Sequence, residues 1–351
     1  MAANIAKLVY FERWMNGHAV DILGKSETID LTHLHHAAGA EVNEAELQTM
    51  HGYQIMPRTE LDPAYLADRA FVERMPNLLA VCSTGAGYDM IDVDACTNAG
   101  IIVCNQSGTN KEAVAEHAFG LILGLSKKIA AADRGMRSID RMSRHGFVGN
   151  DILGKTLGII GIGQIGTRSA EIAKAFRMRV IAYDPYVSAE QMTERGAEKV
   201  DWETLFSESD YISVHCPRTD ETLNMVDAAA FARMKPTAYF VTTARGGIHN
   251  EDDLAAALTA GQLAGAGVDV WWEEPTPIAH PLLKMENVIA TPHSAGVTHE
   301  AMENMGVWAA EQWIDIFQGK VPPRMVNPEA WDRYRDRFQE RLGFSPDTMD
   351  A

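Results

Sequence analysis

The chain has 351 residues, 46% of them hydrophobic and 23% charged, and carries a net charge of −17. At about 150 residues per domain, this length predicts two domains with sizeable cores and excludes disordered, collagen-like and mini-protein classes. So acidic a chain repels phosphodiester backbones and anionic membranes, and no run of Lys and Arg offsets that, so neither partner is expected.

Cys82, Cys96, Cys104 and Cys216 lie apart with no CxxC spacing, which suits neither a disulfide framework nor a structural zinc site. The first residues carry Lys7, Glu12 and Arg13 and offer no apolar h-region, and the run Ala118 to Leu125 is far short of a membrane span. A cytoplasmic, reduced protein is expected.

In chain order, Lys7–Phe11, Leu78–Cys82 and Ile101–Cys104 read as strands, and Leu61 to Met75, with Pro63 in its first turn, reads as a helix. Lys111 to Ala132 reads as one long helix, with Val114, Ala118, Leu121, Ile122 and Leu125 at helical spacing. Beyond a polar stretch the alternation sharpens. Strands are predicted at Thr156–Gly161, Arg179–Tyr183, Tyr211–Val214, Ala238–Thr243, Ala264–Val268 and Asn287–Ala290, with helices such as Ile165–Phe176 and Asp252–Leu258 between them. A second long helix, Thr298 to Gln318, is closed by Gly319 and Pro322, and a charged amphipathic tail follows. The fold class is therefore α/β, with two doubly wound, Rossmann- or flavodoxin-like parallel-sheet domains and a cleft between them as the default ligand site. Residues 1–111 with 299–330 form a discontinuous substrate-binding domain, 112–298 a dinucleotide-binding domain, and 331–351 a C-terminal tail that is as readily solvated as packed.

Gly161-Ile162-Gly163-Gln164-Ile165-Gly166 follows a strand and opens a helix. In that context the first glycine permits a tight turn, the second lets a pyrophosphate approach the backbone, and the third lets helix and strand pack closely. Asp184 ends the next strand, eighteen residues beyond Gly166, where an acid binds the adenosine ribose and repels a 2′-phosphate. Pro185 and Tyr186 follow it rather than Arg, so the reading is NAD over NADP.

Arg245, Glu274 and His293 lie just beyond three predicted strands. Carboxyl ends of strands in an open parallel sheet face one crevice, so the three are candidates to converge beside the dinucleotide. There Arg offers a planar fork to a carboxylate, His exchanges a proton near neutral pH, and Glu fixes the imidazole and stabilises its charged form. Singly, each has a plainer reading as a surface ion-pair member, a capped loop residue or part of a solvated acidic pair with Glu273.

Taken together, Gly158–Gly166, Thr243–Gly247, Gly267–Pro275, Thr291–Gly296, Ser83–Asp89 and Asn110–His117 resemble the D-isomer-specific 2-hydroxyacid dehydrogenases over roughly residues 78 to 318. The resemblance implies an NAD-dependent enzyme interconverting a D-2-hydroxy acid and its 2-oxo acid. It implies Arg245 as substrate-carboxylate anchor, His293 as general acid/base and Glu274 as its partner, with Ser83, Ala86 and Gly87 at the substrate from the other domain. For the cofactor it implies Gln164 and Ile165 amides at the pyrophosphate and Asp184 at the ribose. Cys216, Pro217 and Thr222 would line the adenosine region. Thr243 and Ala244 would pass beneath the nicotinamide ribose, and Asp269 would orient the carboxamide.

Phosphoglycerate-specific relatives carry an Arg where this chain has Ser83, and formate-oxidising ones a Gln in place of Glu274, so neither substrate is expected. Trp271 or Trp272 is a candidate pocket wall, with core packing an equal reading. His33, His35 and His36 cluster without a matching carboxylate pattern for a metal. The alternatives are a corepressor-like protein that binds NAD with little turnover, and a relative acting on another small anionic substrate. A homodimer is expected, with Lys111–Ala132 and Thr298–Gln318 as its candidate interface helices.

Overall fold

A computed structural model describes residues 5–58 and 60–349. The chain divides into two units, Met1–Asn110 with His299–Ala351, and Lys111–Thr298. Among the described residues no helix is long and apolar enough to cross a membrane.

The first unit holds a five-stranded sheet: β1 (Ala6–Phe11), β2 (Ile29–Leu34), β3 (Gly52–Ile55), β4 (Ala80–Ser83) and β5 (Ile102–Cys104), in the order β2-β1-β3-β4-β5. Every pairing among these five strands is parallel. Strands β2 and β3 escape the sequence reading. β2 is an edge strand with a half-exposed face, and β3 is only four residues long, so neither shows a sustained apolar pattern. The expected helix Leu61–Met75 is also broken. Pro63 opens a single 3-10 turn, Leu66 is extended, and Asp68 then caps a new helix, Arg69–Arg74, by accepting from Phe71 N–H at 2.8 Å.

The C-terminal segment corrects the expectation of a separable tail. Helix Trp331–Leu342 buries Trp331, Tyr334, Phe338 and Leu342, a stripe at helical spacing, in one core with Leu8, Cys82 and Cys104. Arg337 ties the helix down further by donating to the Leu78 and Pro76 carbonyls at 2.8 and 2.7 Å. Its charges line the outer face, which is why the sequence reads as solvated.

The second unit is built on a seven-stranded sheet: β6 (Thr156–Ile160), β7 (Arg179–Tyr183), β8 (Glu198–Lys199), β9 (Tyr211–Val214), β10 (Tyr239–Thr242), β11 (Gly265–Val268) and β12 (Val288–Ala290), in the order β12-β11-β10-β9-β6-β7-β8. All pairings are parallel. The strand order reverses about β6, which puts the glycine loop that follows it at the switch point where such sheets bind ligands. The expected helix Lys111–Ala132 is two helices, Lys111–Ser126 and Ile129–Ser138, separated by Lys128 at φ 55°. The chain at Gly149 and Asn150 presses on this break, with Asn150 N–H donating to the Ser126 carbonyl at 2.8 Å. Apolar periodicity runs straight through such a break and cannot reveal it.

Candidate active site

After β6, Gly161 adopts φ 85°, and a Cβ there would stand 2.6 Å from the Cys216 amide nitrogen. A Cβ at Gly166 would overlap the Gly161 carbonyl, so helix Gln164–Ala175 starts hard against the turn. Gly163 differs from both. It is exposed, nothing lies within 4 Å of a Cβ placed on it, and as N-cap it supplies no side chain to the first-turn amides. Most other helices of this unit that follow a strand are capped by Asp, Asn or Ser. The uncapped start thus leaves donors and open space for an anion.

Asp184, at the end of β7, accepts from Ile162 N–H and Tyr186 N–H, both at 3.1 Å, which fixes its carboxylate against the glycine turn. Arg195, which the sequence reading did not weigh, donates to the Ile162 carbonyl at 2.8 Å. Burial pushes the Cys216 thiol up to about 12, so it stays protonated and unreactive at neutral pH. Thr222 closes the turn after Pro217, its hydroxyl donating to the Pro217 carbonyl at 2.8 Å. Thr243 is buried with a hydroxyl oxygen that has no partner among the described residues, and Ala244 is half-buried beside it. An anion cradle, a ribose-length acid and an orphaned hydroxyl are what a nicotinamide dinucleotide would use, so the residues present fit that group.

Beyond β11 and β12 the polar residues converge. His293 Nδ1 lies 2.8 Å from Glu274 Oε2, while Glu274 Oε1 accepts from Trp271 N–H at 3.0 Å. Burial raises the Glu274 carboxyl, but the His293 hydrogen bond and charge, the Trp271 amide and the Arg245 charge outweigh it and hold the group below its ordinary value. Arg245 is half-buried, with Nη1 donating to the Ala244 carbonyl at 2.7 Å.

His293 takes φ 53°, a left-handed conformation that costs a non-glycine residue on the order of 1–3 kcal/mol. Asp269 stabilises it. Its carbonyl accepts from His293 N–H at 2.7 Å, and its fully buried carboxylate accepts from Ser294 N–H, Ala295 N–H and the Thr291 hydroxyl at 2.8, 3.0 and 2.6 Å. Four bonds from one residue therefore set the turn that aims the imidazole. His117 joins them, its Nε2 lying 3.1 Å from Thr291 Oγ1. The sequence carried His117 within the Asn110–His117 motif without singling it out.

Of the two tryptophans, Trp271 is core, 4% exposed, with its indole N–H on the Thr291 carbonyl at 3.0 Å. Trp272 is 64% exposed and lies over Gly247.

In the first unit, Ser83 is fully buried and its hydroxyl donates to the Gly85 carbonyl at 2.6 Å, so it shapes the turn after β4 instead of presenting a hydroxyl. Asn105 Nδ2 draws the Ala86 carbonyl inward at 2.8 Å. Arg58, absent from the sequence reading, reaches the same loop and donates to the Asp89 carbonyl at 2.8 Å.

Residues 119–295 match the family described as D-isomer specific 2-hydroxyacid dehydrogenase, NAD binding domain. The chain is 40% identical over 260 residues to the D-3-phosphoglycerate dehydrogenase of Archaeoglobus fulgidus, a match that covers 74% of this chain but only 49% of that protein. It is also 40% identical over 266 residues to the glyoxylate reductase of Korarchaeum cryptofilum, covering 75% and 80% of the two chains. Among solved structures, the D-lactate dehydrogenase of Aquifex aeolicus, complexed with NAD and lactic acid, superposes with a TM-score of 0.79 at 26% identity, covering 91% and 98%. An NAD(P)-type dinucleotide is the cofactor of this fold.

Proposed function

Because the chain belongs to the D-isomer specific 2-hydroxyacid dehydrogenase family, we propose that it is an NAD-dependent oxidoreductase interconverting a small D-2-hydroxy acid and its 2-oxo acid. The observation that carries this reading is the 2.8 Å contact between Glu274 and a histidine held in the left-handed region, with a guanidinium close enough to act on the same carboxylate. When bound, the nicotinamide supplies and accepts the hydride. Arg245 takes the substrate carboxylate in its planar fork and draws electron density toward it. Protonated His293 donates from Nε2 to the carbonyl oxygen during reduction and recovers that proton from the hydroxyl during oxidation. Glu274 keeps the ring in place and favours its charged form.

Gln164 and Ile165 amides, with Gly161, Gly163 and Gly166 shaping the turn, hold the pyrophosphate. Asp184 takes the adenosine ribose and disfavours a 2′-phosphate, Cys216, Pro217 and Thr222 flank the adenosine, and Thr243 and Ala244 lie under the nicotinamide ribose. The amides of Ala86 and Gly87 are proposed as further donors to the substrate carboxylate. Ser83 supports them from behind through Gly85.

The substrate is proposed to be unphosphorylated, since Ser83 brings no cation to this loop and Arg58 is engaged with Asp89. Assayed with both NADH and NADPH against glyoxylate, hydroxypyruvate, pyruvate and 3-phosphohydroxypyruvate, the protein is expected to reduce an unphosphorylated acid at least about tenfold better with NADH. Preference for the phosphorylated acid overturns the substrate reading, and turnover with none of them overturns the activity.

A homodimer is also proposed. Helices Lys111–Ser126 and His299–Phe317 spend most of their apolar residues within their own units, so the candidate face moves to the exposed Ile129, Met136, Ile139, Val148 and Leu153. Light scattering should give twice the chain mass.

A further inference from the structure

The loop that carries Glu274 runs from Trp271 to His280, where the 3-10 turn Pro281–Lys284 begins. Two carboxylates take its first two amides. Trp271 N–H donates to Glu274 Oε1 at 3.0 Å, and Trp272 N–H donates to Glu251 Oε1 at 2.7 Å. The second oxygen of Glu251 reaches the far end of the loop and accepts from His280 Nε2 at 3.0 Å. His280 Nδ1 accepts from Leu282 N–H at 3.3 Å, which assigns the ring proton to Nε2. One carboxylate thus closes residues 272–280 into a loop pinned at both ends. The side chains of Glu251 and His280 are 14% and 18% exposed, so water competes weakly for these bonds.

Glu251 is also the first residue of helix Glu251–Thr259, into which the Arg245 loop leads, and Asn250 caps that helix. The two loops touch along their backbones. A Cβ at Gly246 would overlap the Trp271 carbonyl, and one at Gly247 would meet the Trp272 ring at 2.7 Å. Arg245 and Glu274 therefore sit on segments that pack on one another and share one anchor. Facing His280 are Glu251, the edge-on Trp271 ring at 5.2 Å, and buried His249, both of whose ring nitrogens lack partners among the described residues.

We propose that Glu251 is a positioning residue for the reaction: by pinning both ends of the 272–280 loop to the helix behind Arg245, it holds Glu274 where it meets His293, and His280 is the second half of the pin. The proposal rests on the reading above that Glu274 and His293 carry the proton transfer. Outer partners that orient metal ligands change affinity or activity by about 10–100-fold when removed, and a pin that sets the loop carrying Glu274 is expected to act on the same scale.

The test is steady-state reduction of glyoxylate by NADH for E251A, E251Q, E274A and E251A/E274A, followed from about pH 5 to pH 9, with NADH affinity measured separately by fluorescence. E251A is expected to lose about 10–100-fold in kcat while NADH affinity stays within about twofold. Its alkaline limb should shift in the same direction as that of E274A. The double variant should be no more than about twofold slower than E274A, because Glu251 acts through Glu274. E251Q, which keeps an acceptor for the Trp272 amide, should recover part of the loss, and it carries the same comparison if E251A does not fold. Multiplying losses in the double variant, or a slow E251A with an unshifted pH profile, would make Glu251 merely structural and overturn the proposal. An E274A that turns over like the parent would instead overturn the underlying reading of Glu274.

Discussion

Glu12 in the first unit and Glu274 in the second both lie beyond a strand end and both meet histidine, yet the two clusters are organised in opposite ways. Glu12 is itself the residue in the left-handed region, at φ 50°, and its 37%-exposed carboxylate is shared among His36 N–H at 2.6 Å, His35 Nδ1 at 3.2 Å and His36 Nδ1 at 3.7 Å. His33 is held by the Glu12 carbonyl and stacks on Tyr10. The cluster is open to water and its one carboxylate is divided among several donors, which makes it a loop brace.

Glu274 is half as exposed as Glu12, serves one imidazole and one amide, and feels the Arg245 charge. The strained residue here is His293, whose Nε2 makes no hydrogen bond among the described residues. A carboxylate given to a single imidazole, under the charge of a guanidinium, separates the proposed reactive pair from the brace. Which residue carries the positive φ therefore says more than the mere proximity of Glu and His.

Several substitutions break or sharpen this contrast. H293A should lower the turnover of 2-oxo acid reduction by about 10³-fold with NADH affinity nearly unchanged, checked by steady-state kinetics and fluorescence titration. G163A should leave the melting temperature unchanged, since its Cβ meets nothing, yet weaken NADH binding at least about tenfold by filling the space an anion needs. G166A, by contrast, should destabilise the fold itself, because its Cβ would meet the Gly161 carbonyl.

His249 adds a pH test. Burial pushes it down to about 4 from an ordinary 6.5, so the unfolded chain takes a proton that the fold refuses. Its contribution is unaffected above pH 6.5, and stability drains by roughly 3 kcal/mol as pH falls toward 4. H249L should remove about half of the acid slope in denaturant melts, because His215, which burial likewise pushes down to about 4, keeps the other half. The smallest expected effect is in the first unit: H35A and H36A should change turnover by less than about twofold, and a larger loss would mean that the brace and the reactive pair are not distinct.

The parts of this molecule that were legible in the sequence are those where one residue type answers one local demand. The Gly161–Gly166 turn, Asp184 at the end of β7, and the polar residues beyond β10, β11 and β12 could be placed because strand, turn and helix are contiguous there. Interactions across loops were not legible. Nothing in the spacing of Glu251, Trp272 and His280 announces that one carboxylate ties them together, and Asp269 reads equally well as a ligand contact or as a fourfold brace for the His293 turn. The burial of the C-terminal helix is not legible for a related reason. Its apolar stripe of four residues is outnumbered by charges, and only the presence of Leu8 and Cys82 opposite shows what that stripe is for.

The pH profile of E274Q tests the central claim most directly. The Glu274 carboxyl is held below its ordinary range, so it stays negative opposite the His293 ring through the working range. Replacing it with the neutral, near-isosteric Gln should move the alkaline limb of 2-oxo acid reduction to lower pH by about half a unit to one unit, and slow the plateau by about tenfold. Profiles of E274Q and the parent that superimpose in both position and height would contradict the account.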